Sequence, residues 1–398
     1  MNCFIIGIDD NRQLHFSPEI QRVIVSHTVF SGGARHYEIV KPHLPHSHTW
    51  IPVTVPLTDV FARYRAHESV VIFASGDPLF YGFANTVLRE MPHAEVNVFP
   101  YFNSLQLLAH RLLMPYHDMH VVSLTGRPWH KFDEALIRGY EKIGVLTDNK
   151  EHTPAAIAAR MLEYGYDNYT MFVGELLGNQ EQERVTQCDL REVADKKFAF
   201  PNNIILRRAE VRKRPLGIPE TDFHLLHGRA KMITKMPVRL LTLSMLDLRD
   251  RNVFWDIGFC TGSVSIEAKL QFPHLRIMAF EQRAEGGRLM RENARKFGTP
   301  GIETVIGDFT QVDISRYPMP DAVFIGGHGG KMREIIEKIS GVLSDEGVIV
   351  FNSVSEESRT LFLEALVKYD FELRQNIRLL VDDFNGIEVM QAKRLKRD

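Results

Sequence analysis

Three stretches of this 398-residue chain place chemistry-bearing residues at useful spacings. The first is residues 253–262, VFWDIGFCTG. An apolar run ends in Asp256, small residues turn at Gly258, Thr261 and Gly262, and a helical pattern follows over residues 264–270. Strand, glycine turn and helix bring backbone N–H groups up to a nucleotide-like ligand. A second strand-like run ends at Glu281. It lies roughly 20 residues beyond the glycines, where an acid accepts hydrogen bonds from ribose hydroxyls. The second stretch is residues 74–82, ASGDPLFYG. Gly76 lets backbone approach a ligand at a strand end, Asp77 is placed as an N-cap, and Pro78 sets the entry to a helix. The third is Gly326-Gly327-His328-Gly329-Gly330, at the end of a strand over 322–325. Glycines there let a large planar ligand lie against backbone. His43, His46 and His48 in KPHLPHSH are metal-ligand types, but two prolines and no regular period describe an exposed loop, so no metal is assigned. No Ser/His/Asp or Cys/His set stands out.

Alternating strand and helix patterns position these stretches. Strands are predicted at 3–8, 70–74, 95–99, 120–124, 143–147, 169–174 and 204–208. Helices are predicted from Ser17 onward and at 79–89, 103–113 and 153–164. In the second half, helices are predicted at 222–229, 236–246 and 284–296. Strands follow at 276–280, 302–306, 322–325 and 347–352, with a strand pair over 371–393. Alternation of this kind implies an α/β protein with largely parallel sheets. Arg207, Arg208, Arg212, Lys213 and Arg214, then Pro215, Gly217 and Pro219, read as a linker. Net charge is -2, which disfavours a nucleic-acid surface. Three cysteines without a C-x-x-C pair suit a reducing cytoplasm, and no signal or membrane-spanning run is evident.

Two resemblances extend this reading. S-G-D-P-L-F-Y-G, residues 75–82, resembles the cofactor loop of the tetrapyrrole methylases. Phe102-Asn103-Ser104-Leu105-Gln106, Arg111-Leu112, VSLTGR at 122–127 and GELLG at 174–178 are similar to the subgroup that methylates C5 of a corrin precursor. That family's first strand runs into a G-x-G-P-G loop, whereas this chain reads Gly7-Ile8-Asp9-Asp10-Asn11. Residues 256–262 resemble D-x-G-x-G-x-G, the first motif of S-adenosylmethionine methyltransferases, with Cys260 in place of the middle glycine. A side chain at positive φ there costs about 1–2 kcal/mol. KMITK at 231–235, WDIGFCTGSVSIE at 255–267 and FIGGHGG at 324–330 are similar to the decarboxylating C15-methyltransferases of the corrin pathway.

The resemblances imply a tetrapyrrole-methylase fold of two α/β subdomains over 1–209, a linker over 210–220, and a Rossmann-like methyltransferase domain over 221–398. They imply methylation of a corrin precursor at C5 and C15, with loss of CO2 from an acetate side chain, in cobalamin biosynthesis. One S-adenosylmethionine is expected at Gly7, Gly76, Asp77, Pro78, Tyr81 and Ser104. A second is expected at Thr234, Asp256, Gly258, Phe259, Cys260, Thr261, Gly262, Glu281, Asp308 and Phe309, where the last two meet the adenine. Substrate is expected at Gly326, Gly327, Gly329, Gly330 and Arg127, with His328 as a substrate contact or proton shuttle. Arg35, Arg111 and Lys331 are further partners for substrate carboxylates. A cytoplasmic homo-oligomer acting on a small tetrapyrrole, without nucleic acid or membrane, is implied. Absence of [DN]-P-P-[YF] at 325–328 argues against a nucleobase amine. A cofactor-binding protein with one active half or none, and a nicotinamide-dependent oxidoreductase, remain as other classes.

Overall fold

The computed structural model describes residues 1–229, 231–381 and 386–395. The chain forms two compact units. One comprises Met1–Arg127, Tyr140–Ala159 and Asn168–Ala209, and the other Pro128–Gly139, Arg160–Asp167 and Glu210 onward.

The first unit carries two five-stranded sheets. Its first sheet has strands β1 (Asn2–Ile8), β2 (Val29–Gly32), β3 (Thr49–Pro52), β4 (Ser69–Ser75) and β5 (Glu95–Phe99), in the order β3-β2-β4-β1-β5. All its pairs are parallel. Such a sheet is covered on both faces and reads as apolar runs, as CFIIGI in β1 does. The second sheet has β6 (His120–Ser123), β7 (Lys142–Leu146), β8 (Tyr169–Glu175), β9 (Arg184–Cys188) and β10 (Asn202–Arg208), in the order β6-β7-β10-β8-β9. Here the expected parallel pairing holds only for β6 with β7, and the other three pairs are antiparallel. Short returns without a crossover helix, such as that from β8 to β9, permit only antiparallel neighbours.

Helix Ser104–Arg111 was foreseen, and its start is fixed by a capping box between Asn103 and Gln106. The helix expected from residue 79 instead begins at Phe83, capped by Gly82. Asp77 caps no helix, because its Oδ1 accepts from Leu79 N at 2.9 Å in a separate tight turn. Strands β2, β3 and β9 and helices Ala34–Val40, Leu57–Arg65 and His130–Arg138 were not anticipated.

The second unit is built on a seven-stranded sheet: β11 (Val253–Ile257), β12 (Arg276–Glu281), β13 (Ile302–Ile306), β14 (Ala322–Ile325), β15 (Val348–Ser353), β16 (Phe371–Leu379) and β17 (Ile387–Arg394). The order is β13-β12-β11-β14-β15-β17-β16. The first five are parallel, and β17 and β16 return antiparallel. Successive β11 side chains enter opposite cores. Val253, Trp255 and Ile257 pack on one face, and Phe254 packs on the other beneath helices Met236–Leu246 and Ser263–Gln271. Chain order reverses between β11 and β14, and a crevice opens at the carboxyl ends of strands at such a point.

Residues 222–229 are not helical, contrary to expectation. A 3-10 turn at Glu220–Asp222 precedes an irregular strap. The buried Asn293 side chain holds this strap: its Oδ1 accepts from His224 N at 2.7 Å and its Nδ2 donates to His224 O at 3.1 Å. That partner replaces a helical hydrogen bond.

Candidate functional site: two cavities at strand ends

In the second unit a cavity of about 680 Å³ opens at the carboxyl ends of β11, β12, β13 and β14. Its size is that of a small-molecule site. Gly258 follows β11 at φ 77°. A Cβ there would lie 2.7 Å from Gly327 N and 2.8 Å from Gly327 O, so only glycine lets the two strand-end loops touch. The turn is pinned to β12 by Gly258 N donating to Phe280 O at 2.8 Å. Gly262 caps helix Ser263–Gln271 at φ 79°.

Cys260 does sit in the left-handed region, at φ 53°. Its Sγ lies 3.0 Å from Met232 O and donates to it, which ties the turn to the strap over 231–235. Burial pushes its thiol up to about 11, so it is protonated and inert as a nucleophile at neutral pH.

Glu281 braces the same turn. Its Oε2 accepts from Cys260 N at 3.0 Å, and its Oε1 accepts from Arg283 N and Nη1 at 3.0 and 3.1 Å. Asp308 faces the cavity after β13. Its Oδ1 accepts from Thr310 N and Oγ1 at 3.0 and 2.8 Å, and its Oδ2 pairs with Lys331. Lys331, with Thr310, holds this carboxyl down at about 2. Phe309 is mostly core, packed edgewise against Trp255 and Phe280.

The cavity brings together Thr234, Gly258, Phe259, Cys260, Glu281, Asp308, Phe309, Gly326, Gly327, His328 and Gly329. Asp256, Thr261, Gly262 and Gly330 are not on its wall. Asp256 lies beneath the turn, fully buried, with Oδ2 accepting from Ser265 Oγ at 2.6 Å. Among the described residues, Asp256 Oδ1 and Thr261 Oγ1 are buried without a partner.

His328 Nδ1 accepts from Gly330 N at 3.2 Å, which leaves the ring proton on Nε2, 3.4 Å from Ser358 Oγ. Burial lowers the pKa of this ring, so it is neutral at physiological pH.

Sequence reasoning missed the Arg239–Glu267 pair beneath the strap. Both side chains are fully buried, with Nε and Oε2 2.5 Å apart. Arg239 also donates to Thr234 O and Ile218 O, and Glu267 Oε1 accepts from Gly217 N. Glu267 ends the quoted 255–267 motif, which was the available signal.

The first unit has a cavity of about 430 Å³ between the ends of β1 and β4 and the second sheet. Gly76, Tyr81 and Ser104 line it. Gly7, Asp77, Pro78 and Arg127 do not, although the Arg127 guanidinium sits over the Tyr81 ring at 5.3 Å. Gly7 acts one layer back: a Cβ on it would overlap Gly76 O at 2.0 Å. A polar cluster that sequence reasoning did not assign to this cavity also lines it. Buried Asp10 accepts from Arg35 Nη1 at 2.9 Å and from Asn179 Nδ2 at 3.0 Å. Arg35 Nη2 and His36 Nε2 both reach Ser75 Oγ, at 2.8 and 2.9 Å. Burial, with Arg35 adjacent, drives His36 down to about 4, so it is neutral. Arg111 is engaged with Glu183 at 2.5 Å, away from the cavity wall.

The three histidines of KPHLPHSH do not converge. The rings of His43 and His48 pack edgewise on Phe16 and Phe30, and among the described residues no cluster of metal-ligand side chains is present. No helix among these residues is long and apolar enough to cross a membrane.

Comparison with known proteins places the chain in a family. Residues 15–194 match the model of tetrapyrrole (corrin/porphyrin) methylases, and residues 226–387 match that of a precorrin methyltransferase domain. A precorrin-6Y C(5,15)-methyltransferase [decarboxylating] of Sinorhizobium sp is 30% identical over 366 residues, 90% of this chain and 86% of that one. Its Mycobacterium tuberculosis namesake is 29% identical over 385 residues, 96% of this chain and 95% of that one. The crystal structure of precorrin-6y C5,15-methyltransferase from Geobacter metallireducens is 33% identical, with a TM-score of 0.42, covering 46% of this chain and all of that one. The chain belongs to the precorrin-6Y C(5,15)-methyltransferase (decarboxylating) family of S-adenosylmethionine-dependent enzymes.

Proposed function

We propose that the chain methylates a corrin-ring precursor at C5 with its first module and at C15 with its second, where CO2 also leaves the C12 acetate, in cobalamin biosynthesis. The observation that carries this is one ligand-sized cavity at strand ends in each of two units, each lined by residues of the matching family motif. Domains are proposed at 1–209 and 221–398, with 210–220 between them. Each domain takes one S-adenosylmethionine.

The cavities fit that cofactor. In the second, a glycine cradle lies beside two carboxylates able to accept from ribose hydroxyls and an adenine amine. When bound, the cofactor supplies an electrophilic methyl group. The leaving sulfur becomes neutral, so the site needs no oxyanion hole. It needs orientation and exclusion of water. Gly258 and Gly327 bring the turn and the substrate loop into contact. Glu281 and Cys260 hold the turn rigid. Asp308, kept ionised, remains an acceptor at every physiological pH. In the first module, Gly76, Tyr81 and Ser104 line the pocket, while Gly7, Asp77 and Pro78 shape the loop.

Methylating an enamine-type ring carbon forms one C–C bond and releases one proton. Decarboxylation returns a proton to the side-chain carbon. His328 is proposed to contact substrate through its Nε2–H, or to pass that proton on while Nδ1 takes one up in its place. The Gly326–Gly330 loop lies under the ring, and Arg127 meets a carboxylate in the first module. The substrate is a small molecule and no nucleic acid is handled. A homo-oligomer in the cytoplasm completes the reading, and the three unpaired cysteines support that compartment.

Calorimetric titration of S-adenosylhomocysteine into the full chain tests it. Two sites per chain are expected. One site would end the one-per-domain proposal, and none would end the cofactor reading. Release of labelled CO2 unchanged in His328→Ala would remove His328 from the mechanism.

A further inference from the structure

We propose that Lys331 recognises a carboxylate of the tetrapyrrole substrate in the second cavity while remaining paired with Asp308, so that one ammonium joins the cofactor side of the site to the substrate side. The inference rests on the reading of that cavity as a methyltransferase site.

Lys331 ends the glycine loop and stands on the cavity wall with Asp308, Thr310, His328 and Gly329. An ammonium has three donors. The partner of Lys331 among the described residues is Asp308 Oδ2, and its side chain is 48% exposed. Asp308 fixes the ammonium from one side only, because its Oδ1 is filled by Thr310. The remaining donors are thus held near one anchor and still exposed, open to a second anion.

Of the other cations near it, Lys231, Lys235 and Arg283 also line the cavity, and Lys338 is spent. Lys338 donates to three carbonyls, Phe309 O at 2.9 Å, Thr310 O at 3.0 Å and Val312 O at 2.5 Å, which close the turn below Asp308. Arg283 is turned back onto Glu281.

Helix electrostatics argue for a role outside the helix. Lys331 is the N-cap of helix Met332–Ser340, and its side chain accepts nothing there. A cation at a helix N-terminus opposes the macrodipole. Ser, Thr, Asp or Asn would serve the helix better. Lysine at this position suits a substrate that carries several carboxylates and lies over the loop.

The test uses the full-length protein with Lys331→Met, which keeps the stem and loses the charge, and Lys331→Arg. CO2 release reports the second module alone. In Lys331→Met, KM for the corrin precursor is expected to rise about 5- to 30-fold, with kcat within about twofold. The dependence of KM on salt should weaken. Lys331→Arg should restore most of KM. S-adenosylhomocysteine affinity should change less than about threefold, since Asp308 still accepts. Unchanged KM would overturn the inference. So would a cofactor affinity that falls in step with KM, because Lys331 would then only hold Asp308. Failure of wild-type protein to bind S-adenosylhomocysteine in this cavity would instead overturn the underlying reading, and the inference with it.

Discussion

Asp256→Asn separates burial from function at the base of the cofactor turn. Asp256 is fully buried, with one oxygen bonded to Ser265 and the other unpartnered among the described residues. Burial pushes its pKa from 3.8 up to about 7. The Ser265 bonds oppose this and Glu281 adds to it. The unfolded chain therefore releases this proton near pH 4, and the folded protein holds it to about pH 7. Below pH 4 both states are protonated and the group is neutral to stability. Between pH 4 and 7 the folded state binds the extra proton, so stability falls as pH rises. Above pH 7 the loss is complete, and a gap of about three units corresponds to on the order of 4 kcal/mol. Asparagine cannot ionise. Its Oδ1 keeps the Ser265 bond, and its Nδ2 stands unpaired where the acid proton stood, costing about 1 kcal/mol or less relative to the protonated acid. The variant should be about 1 kcal/mol more stable at pH 5 and about 3–4 kcal/mol more stable at pH 8. Urea unfolding in a Trp50→Phe, Trp129→Phe background, where buried Trp255 reports on the second unit, measures this. An equal stability difference at pH 5 and pH 8 would refute the buried, proton-holding Asp256.

Further outcomes follow from the same turn and its supports. Gly258→Ala drives a Cβ into Gly327 backbone at 2.7 Å, so the second unit should lose more than about 2 kcal/mol and calorimetry should find one S-adenosylhomocysteine site. Cys260→Gly relieves about 1 kcal/mol at φ 53° but loses the Sγ contact to Met232, so unfolding should shift by less than about 1 kcal/mol. Cys260→Val, β-branched at the same φ, should cost about 2 kcal/mol, and iodoacetamide at pH 8 should label native Cys260 far more slowly than the unfolded chain. Glu267→Gln strands the Arg239 charge in the core, with an expected cost of about 3–5 kcal/mol in denaturant unfolding.

Much of the fold is legible in local pattern. β11, β12, β13 and β14 are apolar runs ended by small or acidic residues, and each was read to within a residue or two. Helix Ser104–Arg111 carries its own start signal in Asn103 and Gln106. The misreadings have two causes, a local turn that competes with the helix and a non-local partner that overrides local signal. Asp77 and Pro78 look like a helix start, but Asp77 closes its own turn and the helix waits for Gly82. Residues 222–229 have helical composition, but Asn293 takes the backbone of His224. The short strands β2 and β3 lack length and period, and are strands only because β2 lies against β4 and β3 against β2.

The site divides along the same line. Turn glycines announce themselves because a positive φ or a close approach demands glycine whatever the rest of the chain does, as at Gly258. Asp256 was read onto the cofactor because its spacing from the glycines is right, and the structure puts it one layer below, bonded to Ser265. Spacing along a strand locates a residue to within its own length but does not say which sheet face it enters. Charged residues are harder still, since Lys331 and Lys338 stand seven positions apart, two turns along one helix face. The first stands at the cavity with one carboxylate, and the second is consumed by three carbonyls of a single turn. Nothing local distinguishes them. What does is the loop Asp308–Val312, distant in sequence, which supplies Lys338 with its carbonyls and Lys331 with its anion. A cation in this site is therefore read from the acceptors around it: where backbone oxygens exhaust its donors it is structural, and where a lone carboxylate holds it at a cavity wall it is left able to bind substrate.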